Sequence, residues 1–272
     1  MKYRLLFLVV LFNFSLNFGC TRFNALNQPV SATENRSDLV AGYVTPGALP
    51  DSAILLPPPP FAGSIAQALD DEINKKMLTL RDTPRRNLAA EDANTQFPGA
   101  AGIFSCALNA PITEKDTPHL YLLLRRTLAD ADRSTGRAKT KYNRIRPFLI
   151  NNQTTCTPSI EKYMINSGSY PSGHSAVGWS WALILSEIAP ERTDAILARG
   201  LAFGESRLVC NAHWYSDVVA GRVVGAGTVA RLHADPAFRA DLDAAKAEFA
   251  ALARRGLKPQ RDCAAEAAAL AP

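Results

Sequence analysis

Hydrophobic positions along this chain recur mostly at helical intervals. Ile65, Leu69, Ile73, Met77 and Leu80 fall three and four apart, the apolar stripe of a helix beginning after Phe61. Leu120, Leu123, Leu124 and Leu128 mark a second helix that starts at Asp116 or Thr117. Between Ser175 and Ile188 the chain is apolar on nearly every side, which predicts a central, buried helix. Further helices are predicted over 192–208 and 213–233. Asp235-Pro236 then breaks the pattern before an amphipathic helix from 238 to about 254. Alternation of apolar and polar residues never persists outside these windows. The fold expected is therefore all-α, a single-domain helical bundle over 57–255.

The flanks read differently. Residues 20–56 are rich in Asn, Ser, Thr, Ala and Pro without periodicity and lead into Pro57 to Pro60, the composition of a flexible tether. The Ala-rich stretch 256–272 is expected to fray unless Cys263 pins it. Residues 1–19 have the form of a signal peptide: Lys2 and Arg4 precede an apolar run from Leu5 to Phe18, too short to span a bilayer. Gly19-Cys20 resembles the end of a bacterial lipoprotein signal, although Asn17 and Phe18 depart from it. Lipid attachment at Cys20 and ordinary cleavage nearby both stand. No later segment is long and apolar enough to span, so the expected location is periplasmic or secreted.

Composition narrows the possible partners. The 272 residues are 47% hydrophobic and 20% charged with a formal net charge of +5, and no basic block carries interleaved aromatics. Nucleic acid is excluded as a partner on that ground. Export changes the reading of the cysteines. With Cys20 set aside, Cys106, Cys156, Cys210 and Cys263 have no close Cys-x-x-Cys spacing, so disulfides are expected over zinc. Three connectivities remain open.

Three polar clusters carry the chemistry. In Lys139-Thr-Lys-Tyr-Asn-Arg-Ile-Arg146-Pro147 the outer cations are seven apart, close to two helical turns, so both can project from one helix face toward one site, and Pro147 is expected to end that helix after Arg146. In Pro171-Ser172-Gly173-His174 a small-residue turn opens the central helix, whose unpaired N–H groups and dipole suit an anion. The third cluster is Ser206-Arg207, His213 and Asp217. His213 and Asp217 are four apart, so one helix face allows the carboxylate to hold an imidazole N–H. Arg207 and His213 are six apart, about 120° out of line on an unbroken helix, so the chain must break near Cys210-Asn211 if both serve one site. Taken singly, each cluster has a plain structural reading. Together they supply the cations, two histidines and orienting carboxylate that phosphoryl transfer through a covalent histidine needs.

Lys139-x6-Arg146-Pro147, Pro171-Ser172-Gly173-His174 and Ser206-Arg207-x5-His213-x3-Asp217 together resemble the signature of the type 2 phosphatidic acid phosphatase superfamily. Pro111-Ile-Thr-Glu-Lys-Asp-Thr-Pro-His119, Arg144-Ile-Arg-Pro-Phe148, His213-Trp-Tyr-Ser-Asp217 and Asp235-Pro-Ala-Phe238 are similar to its class A bacterial non-specific acid phosphatases. The resemblance spans roughly 57–250 and implies a metal-independent, cofactor-free enzyme acting on small phosphate monoesters such as nucleotides or sugar phosphates. It implies His213 as nucleophile, Asp217 as its orienting partner and His174 as proton donor. Lys139, Arg146, Ser172, Gly173 and Arg207 would bind phosphate. A homo-oligomer, transfer of phosphate to alcohols, and pairing of Cys156 with Cys210 and of Cys106 with Cys263 are implied as well. His119, His233 and Glu205 lie outside the signature and are read as structural or solvated. A vanadium haloperoxidase and a lipid phosphate phosphatase are the competing readings of the same constellation.

Overall fold

The computed structural model describes residues 40–252 and 255–271, so the expected leader, Cys20 and the first half of the tether lie outside the described residues. Its α-helices in chain order are α1 (Ser52–Leu55), α2 (Ile65–Leu78), α3 (Pro84–Asp92), α4 (Ser105–Leu108), α5 (Pro118–Ser134), α6 (Gly136–Tyr142) and α7 (Pro147–Asn151). They continue with α8 (Glu161–Ile165), α9 (Gly173–Ile188), α10 (Thr193–Val209), α11 (Tyr215–Leu232), α12 (Pro236–Leu252) and α13 (Cys263–Leu270). The fold is all-α, without a strand among the described residues.

The predicted central helix is α9, packed between α10, α11 and α5. Trp181 is fully buried and its indole N–H donates to Leu124 O at 3.0 Å, tying α9 to α5. Glycines let the helices approach closely. A Cβ at Gly178 would fall 2.1 Å from the Phe203 ring, and one at Gly221 2.4 Å from Ser172 O. No side chain fits there without separating the helices.

Helix α2 forms where its period predicts, but its apolar stripe does not all face inward. Ile65 is 91% exposed and Leu69 52%, whereas Asp70 and Asn74 are buried. Those two polar side chains have hydrogen-bond partners on α11 and the α10–α11 turn, and satisfying them decides which way the helix rolls.

The expected tether is not free from residue 40 onward. The N–H groups of Tyr43 and Val44 donate to the buried Asp130 carboxylate at 2.7 and 3.3 Å, and Ser52 Oγ accepts Ala138 N–H. Val44 and Leu56 are buried, so the packed body begins before the predicted boundary at 57. At the other end α13 is held by the Cys106–Cys263 disulfide and by Glu266 beside Arg199 at 3.3 Å.

Candidate active site

The cations of the first cluster reach one place by a chain reversal, not along one helix face. Helix α6 stops at Asn143, whose φ of 38° is left-handed, and Arg144 to Arg146 lead into α7. Pro147 therefore begins a helix at its first position instead of ending one. Lys139 Nζ donates to Gly168 O at 3.0 Å. Arg146 is buried and donates to the carbonyls of Met164, Ser167 and Ala212, each at 3.0 Å. Its Nη1 also stands 3.0 Å from His213 Nε2.

The break expected between Arg207 and His213 is present. Helix α10 ends at Val209, and Asn211 has a left-handed φ of 59°. The N–H groups of Ala212 and His213 return to Arg207 O at 3.0 and 3.3 Å. Asn211 is fastened by Asn74 and Asn151 at 2.9–3.0 Å and by Gln153 O at 2.7 Å. The Cys156–Cys210 disulfide closes the same turn.

His213 precedes α11, so it does not share a helix face with Asp217 as the four-residue spacing suggests. Asp217 sits in the first turn of α11 and folds back. Its Oδ2 accepts Trp214 N–H at 2.8 Å and lies 3.4 Å from His213 Nδ1. No aligned hydrogen bond reaches Nδ1 among the described residues. The pairing still fixes the tautomer. A guanidinium N–H can donate to Nε2 only if that nitrogen carries a lone pair, which places the proton on Nδ1, facing Asp217.

The electrostatics favour an anionic ligand. Burial, followed by Arg146, Lys139 and Arg207, holds the His213 pKa well below its ordinary value. Burial and then Arg146 lower Lys139 to about 7. Arg207 is lowered to about 10 by the same two causes, and Arg146 to about 10 by burial. Arg207 is 1% exposed, yet its Nε and Nη1 have no hydrogen-bond partner among the described residues. A buried guanidinium left in that state is costly unless a ligand completes it.

The Ser172-Gly173 turn opens α9 against this group. Ser172 Oγ caps the helix by accepting Ser175 N–H at 3.2 Å, and Ser172 N–H donates to Asp217 O at 2.9 Å. A Cβ on Gly173 would lie 4.0 Å from Lys139 Cε and 2.9 Å from Asp132 Oδ1, so the glycine keeps the turn open beside the lysine. His174 follows, stacked on Phe203 with ring centroids 6.1 Å apart. Its Nε2 donates to Ala93 O at 3.0 Å.

Three side chains near the site carry no role in the motif reading: Asp132, Arg144 and Asp70. Arg144 is visible in the sequence as the first arginine of Arg-Ile-Arg-Pro. Asp70 and Asp132 lie on helices whose period gives no sign of them. His119 and His233 stay outside: the His119 N–H meets Glu248, the His233 ring pairs with Glu187, and Glu205 lies at the surface beside Arg222.

Known proteins are similar to this chain in sequence. The PAP2 superfamily pattern matches residues 120–240, which include all three clusters. The chain is 49% identical over 203 residues to a non-specific acid phosphatase of Providencia stuartii, covering 74% of this chain and 82% of that one. It is 39% identical to an acid phosphatase of Zymomonas mobilis over 83% of this chain and 84% of the relative. A non-specific acid phosphatase of Salmonella typhimurium is 40% identical over 81% of this chain and 88% of its own length. The protein is an all-α member of the PAP2 superfamily. Within it, the chain belongs with the bacterial non-specific acid phosphatases.

Proposed function

We propose that this protein hydrolyses phosphate monoesters of broad structure through a phosphohistidine on His213. When phosphate binds, Arg146 exchanges its bond to His213 Nε2 for a non-bridging oxygen, and the neutral ring directs the released Nε2 lone pair at phosphorus. As the P–N bond forms the P–O bond to the leaving group breaks, and His174 gives that oxygen a proton. His174 then takes a proton from water as the water oxygen attacks phosphorus, and the P–N electron pair returns to the ring. Lys139, Arg146 and Arg207 hold the non-bridging oxygens, joined by the Ser172 hydroxyl and the Gly173 N–H. Asp217 steadies the ring while it is positive. The charge neutralisation that a metal could provide comes here from the basic side chains.

The observation that carries this reading is Arg207, buried with two unsatisfied donors beside Arg146 and His213. Lys139, lowered to about 7, is cationic mainly on the acid side of neutrality, which suits an acid phosphatase. Export to the periplasm or beyond, with or without a lipid at Cys20, is part of the same proposal. So are transfer of phosphate to alcohols and self-association, the latter favoured by exposed Phe61, Ile65 and Leu69.

The test is protein-bound phosphate trapped by detergent during turnover of a labelled ester. Label that is base-stable, acid-labile and lost in His213→Ala supports the mechanism. Label on serine, or an active His213→Ala enzyme, refutes it. Halide oxidation after vanadate loading would favour a haloperoxidase, and preference for a lipid phosphate over a soluble ester would favour a lipid phosphatase.

A further inference from the structure

We propose that Arg144 is a positioning residue for the His213–Asp217 pair, locked in place by Asp70 and Gln67 of α2. The proposal rests on the reading of His213 as nucleophile.

Arg144 Nη1 donates to Asp217 Oδ1 at 2.7 Å, on the oxygen that Trp214 does not use. Donors on separate oxygens fix the rotation of the carboxylate about its last bond. The remaining capacity of Oδ2 is thereby aimed at His213 Nδ1. Without the guanidinium one end of that carboxylate would be released, and with it the reference that orients the ring.

The guanidinium is itself held from behind. Its Nη2 donates to Asp70 Oδ2 at 2.7 Å and to Gln67 Oε1 at 2.6 Å, and its Nη1 to Ser216 Oγ at 2.7 Å. Asp70 in turn accepts Ser216 N–H at 2.8 Å and Ser216 O–H at 2.6 Å. The side chains of Arg144, Asp70 and Asp217 are 8%, 1% and 0% exposed, so solvent does not compete with these bonds. The planar fork bridges two carboxylates, which a lysine ammonium, as a compact point charge, does not reproduce. The series carboxylate, guanidinium, carboxylate carries one net negative charge. It ends at the ring that becomes positive when phosphorus binds Nε2. This network also accounts for α2 turning Asp70 inward while Ile65 stays in solvent.

The experiment is a kinetic double-mutant cycle with Arg144→Met and Asp217→Asn, each checked by thermal unfolding, with Arg144→Lys alongside. Arg144→Met is expected to lower kcat by about 10–100-fold, the usual scale for losing a partner that orients a reacting group. KM should stay within about threefold, because Lys139, Arg146 and Arg207 are untouched. In the Asp217→Asn enzyme the same change should cost less than about threefold more. Losses that multiply in full, or a KM that rises as far as kcat falls, overturn the proposal. If Arg144→Met does not fold, Arg144→Lys decides: a lowered kcat with unchanged KM supports the role, and wild-type kcat overturns it. Phosphoenzyme trapping separates the two hypotheses. Absence of phosphohistidine in the wild type removes the His213 reading, whereas its presence with an unchanged rate of formation in Arg144→Met removes only the role of Arg144.

Discussion

Arg146 Nη1 lies 3.0 Å from His213 Nε2, so the ring nitrogen that faces the cations is met by a permanent donor. Burial, then Arg146, Lys139 and Arg207, favour the neutral imidazole, and the Arg146 contact sets its tautomer and places a cation beside Nε2.

That relationship predicts the ring's protonation. Nitrogen-15 NMR of the empty protein should find His213 neutral with its proton on Nδ1 at pH 6; a cationic ring there contradicts the assignment. The sign of the linkage follows. The folded pKa is lowered, so the unfolded chain binds the extra proton in the window from about 6.5 downward to the folded value. Stability from this group is complete above that window and is lost as pH falls through it.

Lys139 makes the corresponding prediction for a cation. Its pKa falls from 10.5 to about 7 on folding, so stability rises with pH across that interval and the penalty of charging it is full below 7. Lys139→Met should raise the melting temperature of the empty protein at pH 6 by roughly 2–4 °C, with the gain shrinking by pH 10. Activity should fall by about a hundredfold. Calorimetry at both pH values with a parallel assay checks it; an equal gain at both counts against the linkage.

Arg207 should reveal itself through ligand. Inorganic phosphate at about 100 times its Kd stabilises a protein by roughly 2.7 kcal/mol, seen as a rise in melting temperature. Arg207→Met should lose most of that rise while unfolding at or above the wild-type temperature without phosphate. An unchanged response to phosphate would place the anion elsewhere.

Gly221 tests the packing beneath the cradle. Gly221→Ala puts a methyl 2.4 Å from Ser172 O, which must move. A stability loss of about 1–3 kcal/mol is expected in urea unfolding, with a fall in kcat/KM. Lost stability with full activity would mean that the Ser172 turn does not need its present position.

Asn211 separates backbone from network. Its φ of 59° favours glycine or asparagine, while its side chain joins Asn74 and Asn151. Asn211→Gly keeps the turn and removes the network; Asn211→Ala removes both. Alanine should cost about 1 kcal/mol more than glycine in denaturant midpoints, and equal losses would assign the role wholly to the side chain.

The helical class, the buried α9 and the residues of the three clusters are legible in the amino-acid sequence, because each is written in local period or in one short motif. The sequence also required α10 to end before His213 if Arg207 and His213 serve one site, since positions six apart do not align on one helix. Tertiary structure decided how the clusters meet. Arg146 arrives through the left-handed turn at Asn143, and Asp217 reaches back to a His213 that lies outside its helix. It also decided the inward roll of α2: Asp70 finds Arg144 74 residues away and Ser216 146 residues away. Burying those groups unpaired would cost more than exposing Ile65 and Leu69, so the polar partners set the orientation. No periodicity within α2 records where those partners will be.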